Sequence, residues 1–172
     1  MRNNLGLIGM LLISYGCLFG NQKEQFPSGK DTVYSPDRKF VIQNFDPDST
    51  ERQHRIFLKD VSSGKQWELM QYNRHVEVAW SPNSTSIAVT DFDGSNHSGA
   101  YVFFVDKRKD PVNIEKELLR STRLKDHLVK NDHVYIKVQK WLSSTKMEIA
   151  IEAYGDNDPH GYSTTIKYEL KR

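Results

Sequence analysis

The sequence predicts an all-β domain with one short helix, in which three repeated antiparallel hairpin units form an open meander or sandwich. Three observations predict it. From Thr32 onward, apolar and polar residues alternate with period two, the mark of strands with one buried face. Turn-forming clusters punctuate those runs at Asp46-Pro47-Asp48, Ser62-Ser63-Gly64, Asp93-Gly94 and Asp156-Asn157-Asp158-Pro159. One pattern of aromatic residue, polar turn and aliphatic strand recurs three times along the chain.

The amino-terminal stretch stands apart from that domain. Arg2 supplies a positive start, Leu5 to Leu12 is a compact apolar run, and small residues follow at Ser14 and Gly16 before polarity switches at Asn21-Gln22-Lys23-Glu24. The run falls short of the roughly twenty apolar residues that a bilayer span needs. Its order matches a secretory signal peptide over residues 1–20. Cys17, the sole cysteine, sits where the signal ends, so the exported domain has no internal disulfide. Ile13-Ser14-Tyr15-Gly16-Cys17 resembles the lipobox of bacterial lipoproteins: Gly16 and Cys17 match, while Ser14 stands in place of the usual leucine and Tyr15 is bulkier than usual. That resemblance implies lipidation of Cys17, which would tether the domain by acyl chains. Ordinary signal cleavage near Gly20 is the alternative. Residues 21–31 read as a polar linker and 32–172 as a single β-repeat domain.

Within the domain the elements follow in order. Tyr34-Ser35-Pro36-Asp37-Arg38-Lys39-Phe40-Val41-Ile42 opens the first unit, and Ile56-Phe57-Leu58 supplies its next strand. Lys65 to Met70, carrying Trp67, reads as an outer strand. Val76, Val78 and Trp80 share one face of the following strand, which leads into Ser81-Pro82-Asn83-Ser84-Thr85-Ser86-Ile87-Ala88-Val89. In both units Ser-Pro sets the turn entry and Asp or Asn tolerates the bend. Tyr101-Val102-Phe103-Phe104-Val105 is apolar on both faces and reads as a central strand. Asn113 to Val129 breaks the alternation: Ile114, Leu118, Leu124 and Leu128 keep helical spacing, with Glu115 and Glu117 early and Arg120, Arg123 and Lys125 later, as a helix dipole favours. Val134, Ile136 and Val138 restore the strand pattern. Trp141-Leu142-Ser143-Ser144-Thr145-Lys146-Met147 then repeats the motif, and Tyr162 to Leu170 closes the domain. Trp80 and Trp141, with Tyr34, hold equivalent places and read as core anchors of one shared apolar layer.

Trp80-Ser81-Pro82-Asn83 followed by Ile87-Ala88-Val89 resembles the WD-like β-propeller repeats of the periplasmic Tol-system protein and its relatives. The likeness is good in the second unit, fair in the first and poor in the third, and it marks a hairpin, not an activity. The chain departs from that family in number. A closed propeller needs at least four blades, so three propeller-like units imply an open arrangement, not a closed propeller.

Composition excludes some classes of function. With 24 Lys+Arg against 22 Asp+Glu, the net charge of +2 provides no basic face for nucleic acid. The chain carries no nucleophile elbow, phosphate-binding glycine loop, dinucleotide fingerprint or zinc-protease helix. It therefore reads as a non-enzyme without a cofactor.

Two loops carry the candidate site residues. Asp91-Phe92-Asp93-Gly94-Ser95-Asn96-His97-Ser98-Gly99-Ala100-Tyr101 and Tyr154-Gly155-Asp156-Asn157-Asp158-Pro159-His160-Gly161-Tyr162 both run from acids through a histidine to glycine and tyrosine. If the units stack, both loops fall on one rim. Asp91, Asp93, Asn96, His97, Ser98 and Tyr101, with Asp156, Asp158 and His160, are the binding candidates. Asp91, Asp93 and Ser95 offer oxygens at alternate positions, as a calcium loop does, but the twelfth position is Val102 where a bidentate acid belongs. Capped turns and solvated histidines explain the same residues without a ligand. Ser98-Gly99-Ala100-Tyr101 resembles the Ser-Gly-x-Tyr loop of periplasmic inhibitors of invertebrate-type lysozyme, which implies that Ser98 and Tyr101 enter a target's cleft. The structural alternative is that Tyr101 begins a core strand and Gly99 eases a turn.

These observations point to an exported cell-envelope protein that binds a protein or glycan partner, periplasmic or held at the outer membrane by a lipid on Cys17. Open sheet edges also admit self-association. The competing expectations are a metal-dependent envelope hydrolase using the Asp91–His97 loop and a lysozyme-inhibitor-like protein using the Ser98–Tyr101 loop.

Overall fold

The computed structural model describes residues 23–28, 30–46, 53–107, 110–156 and 158–171. Cys17 and the signal reading lie outside the described residues. Alternation becomes strand nearly everywhere it was expected, and the sheets are open. The first unit is a four-stranded meander of β2 (Thr32–Tyr34), β3 (Phe40–Phe45), β4 (His54–Asp60) and β5 (Gln66–Tyr72). The second is β6 (His75–Trp80), β7 (Ser86–Phe92) and β8 (His97–Phe104), with the two-residue β9 (Val112–Asn113) on β8. The third is β10 (His133–Trp141), β11 (Lys146–Gly155) and β12 (Asp158–Glu169). A short parallel pairing, Val134 with His97 and Tyr135 with Ser98, joins β10 to β8.

The units stack as three layers, so the core is two apolar layers where the sequence suggested one. Val76, Val78, Trp80, Ile87, Val89 and Phe103 of the second unit pack with Val33, Ile42, Ile56, Leu58 and Tyr72 of the first. Ala79, Ala88, Ala100, Val102 and Phe104, on its other face, pack with Ile136, Val138, Met147, Ile149 and Ile151 of the third. Burial on both faces explains the unbroken apolar run of β8.

The repeated aromatic is the bolt of this stack. Trp80 Nε1 donates to Val33 O at 3.2 Å, and Trp141 Nε1 donates to Ala79 O at 3.1 Å. Each acceptor immediately precedes the equivalent aromatic of the previous unit, so one repeated junction joins the units in sequence. Tyr34 does not share the role: it is 53% exposed. It lies on the outer face of the first unit, where no sheet among the described residues covers it.

The turns repeat as well. The Ser35 hydroxyl contacts Asp37 Oδ1 at 2.7 Å and accepts from Phe40 N–H at 3.0 Å. The Ser81 hydroxyl repeats this with Asn83 Oδ1 at 2.9 Å and Ser86 N–H at 3.0 Å. Those bonds support the left-handed backbone of Arg38 (φ 59°) and Ser84 (φ 61°), a conformation that costs a non-glycine residue about 1 kcal/mol. In the third unit Ser143 Oγ accepts from Thr145 N–H and Lys146 N–H, without proline.

Two expectations are corrected. Within the stretch read as a linker, Lys23–Phe26 is a strand, β1, antiparallel to β6 with Phe26 opposite Val76. It covers the open edge of β6, buries Phe26 completely, and pairs Lys23 with Glu77 at 2.7 Å. A sheet edge beside a core needs such cover. The single helix is two: α1 (Ile114–Leu118) and α2 (Thr122–Lys130). Arg120 N–H bonds to Glu117 O and Ser121 N–H to Leu118 O, tightening the chain, and Ser121 takes an extended conformation before the second helix starts. Ile114, Leu118, Leu124 and Leu128 cover the second core layer together.

Candidate functional site

The even-numbered strands from β4 to β10 each begin with a histidine, and the strand registers bring those four ends to one rim of the stack. His54 pairs with Tyr72 across β4 and β5, and only Asn73 and Arg74 separate Tyr72 from His75. His75 pairs with Phe92 at the end of β7, and His97 pairs with Val134 beside His133. Three of these imidazoles lie flat on an aromatic ring: His54 on Tyr72, His75 on Phe92 and His133 on Tyr154. His127 does the same on Tyr162 at 3.9 Å. Of these rim histidines only His97 is a sequence candidate; the signal for the others is the recurrence of histidine at strand starts.

The densest chemistry on this rim surrounds His97. Its Nδ1 lies 2.9 Å from Asp93 Oδ1, and its Nε2 lies 3.4 Å from Glu115 Oε2. Glu115 was not among the sequence candidates. It arrives because β9 pairs Asn113 with Tyr101, and the Asn113 side chain then caps α1 by accepting from Lys116 N–H at 2.9 Å, which places Glu115 in the first helical turn. Burial pulls the His97 imidazole down, but the hydrogen bond and charge of Asp93 and the charge of Glu115 outweigh it and hold the ring above its ordinary value. Carboxylates on both nitrogens favour the doubly protonated ring, which has no lone pair for a metal. Among the described residues, no three His, Cys, Asp or Glu side chains are grouped to hold a metal ion.

Asp91 lies one strand position from this cluster, between Val76 and Gly99 in register. Burial and then the charge of Asp93 push its carboxyl up to about 6, with His97 pulling the other way. Its Oδ1 is buried and accepts no hydrogen bond from the described residues. The Tyr101 ring lies across Gly99, where a Cβ would come within 3.3 Å of both its Cε2 and its hydroxyl. Burial, followed by the charges of Asp91, Asp93 and Glu115, raises the Tyr101 phenol above its usual range.

The remaining candidates of the first loop serve the fold. Ser98 is fully buried in β8 with its hydroxyl facing Ile136 O at 3.5 Å. Gly99 and Ala100 are buried strand residues too. Of the Ser98–Tyr101 segment read as inhibitor-like, only Tyr101 is therefore partly exposed. Asn96 ties the rim together: its carbonyl accepts from Val134 N–H at 2.9 Å, and its amide reaches Asp132 O at 3.5 Å.

The second loop lies on the same rim, as stacking implied. Tyr135 links the two: its hydroxyl donates to Ser95 O at 2.7 Å and lies 3.4 Å from the Tyr154 hydroxyl. The acids of the two loops do not pool, however. Asp158 pairs with Lys130 at 2.9 Å, and the hydrogen bond from that ammonium holds its carboxyl below the usual range. Asp156 and His160 are exposed. Among the described residues, no helix is long and apolar enough to cross a membrane. No family model matches the chain, and neither a curated protein nor a solved structure matches it.

Proposed function

We propose that this chain is an exported cell-envelope binding protein that meets a protein or glycan partner with the histidine-lined rim and performs no catalysis. Export rests on the amino-terminal signal pattern and on the resemblance of the residues around Cys17 to a lipobox. The observation that carries binding over chemistry is the state of His97. Held between Asp93 and Glu115, its ring is occupied at both nitrogens by carboxylates that favour its protonated form. Around it the rim presents aromatic faces, carboxylates and hydroxyls, which is the mixture that recognition surfaces use.

The test places a photocrosslinking side chain at exposed Asn96 or Asp156 on the rim, and at Ser63 in the turn at the far end of the stack, in the full chain expressed in its native envelope. Adducts at the rim positions and none at Ser63 are expected. Equal adducts at both ends, or none at the rim, would remove the proposal. The hydrolase alternative is separated by melting with calcium or zinc: a shift of several degrees that Asp93→Ala abolishes would favour a metal site, and no shift favours binding alone.

A further inference from the structure

The rim end of the third unit's outer face carries side chains in an order that suits one kind of ligand. On that face His133 pairs with Tyr154 across β10 and β11, and the next outward-facing pair is Tyr135 with Glu152. Across to β12, Glu152 pairs with Ser163. Tyr154 is 43% exposed, and it lies beside Gly161, where a Cβ would come 3.2 Å from Tyr154 Cβ. Gly161, at φ 64°, holds a left-handed conformation and leaves the space next to the ring open. Glu152, Tyr154, His160, Gly161, Tyr162 and Ser163 line a cavity of about 320 Å³.

We propose that this cavity is a saccharide subsite, in which Tyr154 stacks against the apolar face of a neutral sugar ring while Glu152 and Ser163 bond its hydroxyls. The inference rests on the binding reading and names the ligand class for one part of the rim. A pyranose has an apolar face of C–H groups and a girdle of hydroxyls. It therefore needs an open aromatic face with acceptors and donors just beyond its edge, and Tyr154, Glu152 and Ser163 stand in that order. The stack on His133 at 4.6 Å and the Tyr135 hydroxyl at 3.4 Å hold the Tyr154 ring in place, so little side-chain freedom is lost on binding. The Glu152 carboxylate repels uronic and sialic acids and leaves neutral sugars as the class.

The rest of the face argues against a protein sheet as the occupant. Lys140 pairs with Glu148 at 3.3 Å and Lys146 with Glu169 at 3.1 Å. Covering that charged field with another sheet would desolvate it, at a cost that the small cavity at the rim avoids.

The experiment titrates the purified exported domain with the tetrasaccharides of N-acetylglucosamine and of glucose, and with a uronate-containing tetrasaccharide of similar length, by heteronuclear NMR and calorimetry. Saturable binding of at least one neutral tetrasaccharide is expected, with shifts centred on Tyr154 and Ser163 and weaker binding of the uronate. Tyr154→Leu keeps apolar bulk and should weaken binding about tenfold, and Glu152→Gln about fivefold, each with a wild-type melting curve. If no neutral sugar saturates the site below about 10 mM, or if both variants bind as wild type does, the subsite is refuted. Rim photoadducts with a protein, alongside failed sugar titrations, would sink this inference alone. Loss of the rim adducts would sink the binding reading itself.

Discussion

Replacing Asp91 with asparagine keeps the side chain's shape beside Gly99 and removes its charge. Burial beside Asp93 pushes the folded carboxyl up to about 6 from its ordinary 3.8. The fold therefore holds this proton more tightly than the unfolded chain does. Its stabilising contribution is complete below the unfolded value, declines as pH rises and is gone once pH passes through about 6, leaving the ionised carboxylate as a fixed penalty. Taken whole, the shift corresponds to about 3 kcal/mol. Asp91 is only partly buried, and solvent screening reduces that to about 1–2 kcal/mol. Asp91→Asn is thus expected to stabilise the domain by about 1–2 kcal/mol near pH 7.5, or roughly 2–8 °C in Tm, with the gain fading to nothing near pH 4. Urea and thermal unfolding at the two pH values, at one ionic strength, measure it. A variant less stable than wild type near pH 7.5, or a gain equally large near pH 4, would refute the reasoning.

Three further substitutions test the architecture. Trp141→Phe removes the indole donor to Ala79 O at the junction of the second and third units, so urea unfolding should show a loss of about 0.5–1.5 kcal/mol. Tyr34→Phe at the equivalent exposed position should change stability by less than about 0.5 kcal/mol. Phe26→Ala distinguishes a strand from a leash: a buried residue of β1 should cost about 3–5 kcal/mol, whereas a linker residue would cost almost nothing.

The strands and their turns were legible because their signals are local. Period-two alternation states which residues turn inward, and Ser35-Pro36-Asp37 and Ser81-Pro82-Asn83 state where the chain reverses. Repetition of the aromatic at Trp80 and Trp141 announced equivalent places, and each proved to be the donor at a unit junction. Acids and histidine of the first loop were visible as a group, yet Glu115, which completes the clamp on His97, lies eighteen residues further on within a helical pattern. Nothing local connects them. The β9 pairing to Tyr101 does.

The sequence by itself determined most of the strands from Thr32 onward and the three hairpin units, because backbone alternation and turn preference are short-range properties. Tertiary structure alone decided which faces were covered and which side chains met. Tyr34 is exposed because its unit ends the stack, and Phe26 is buried because β6 had an edge to fill. Tyr135 joins the two loops because β10 lies parallel to β8. Each of these depends on what lies against a strand, and a strand's own residues do not encode its neighbour.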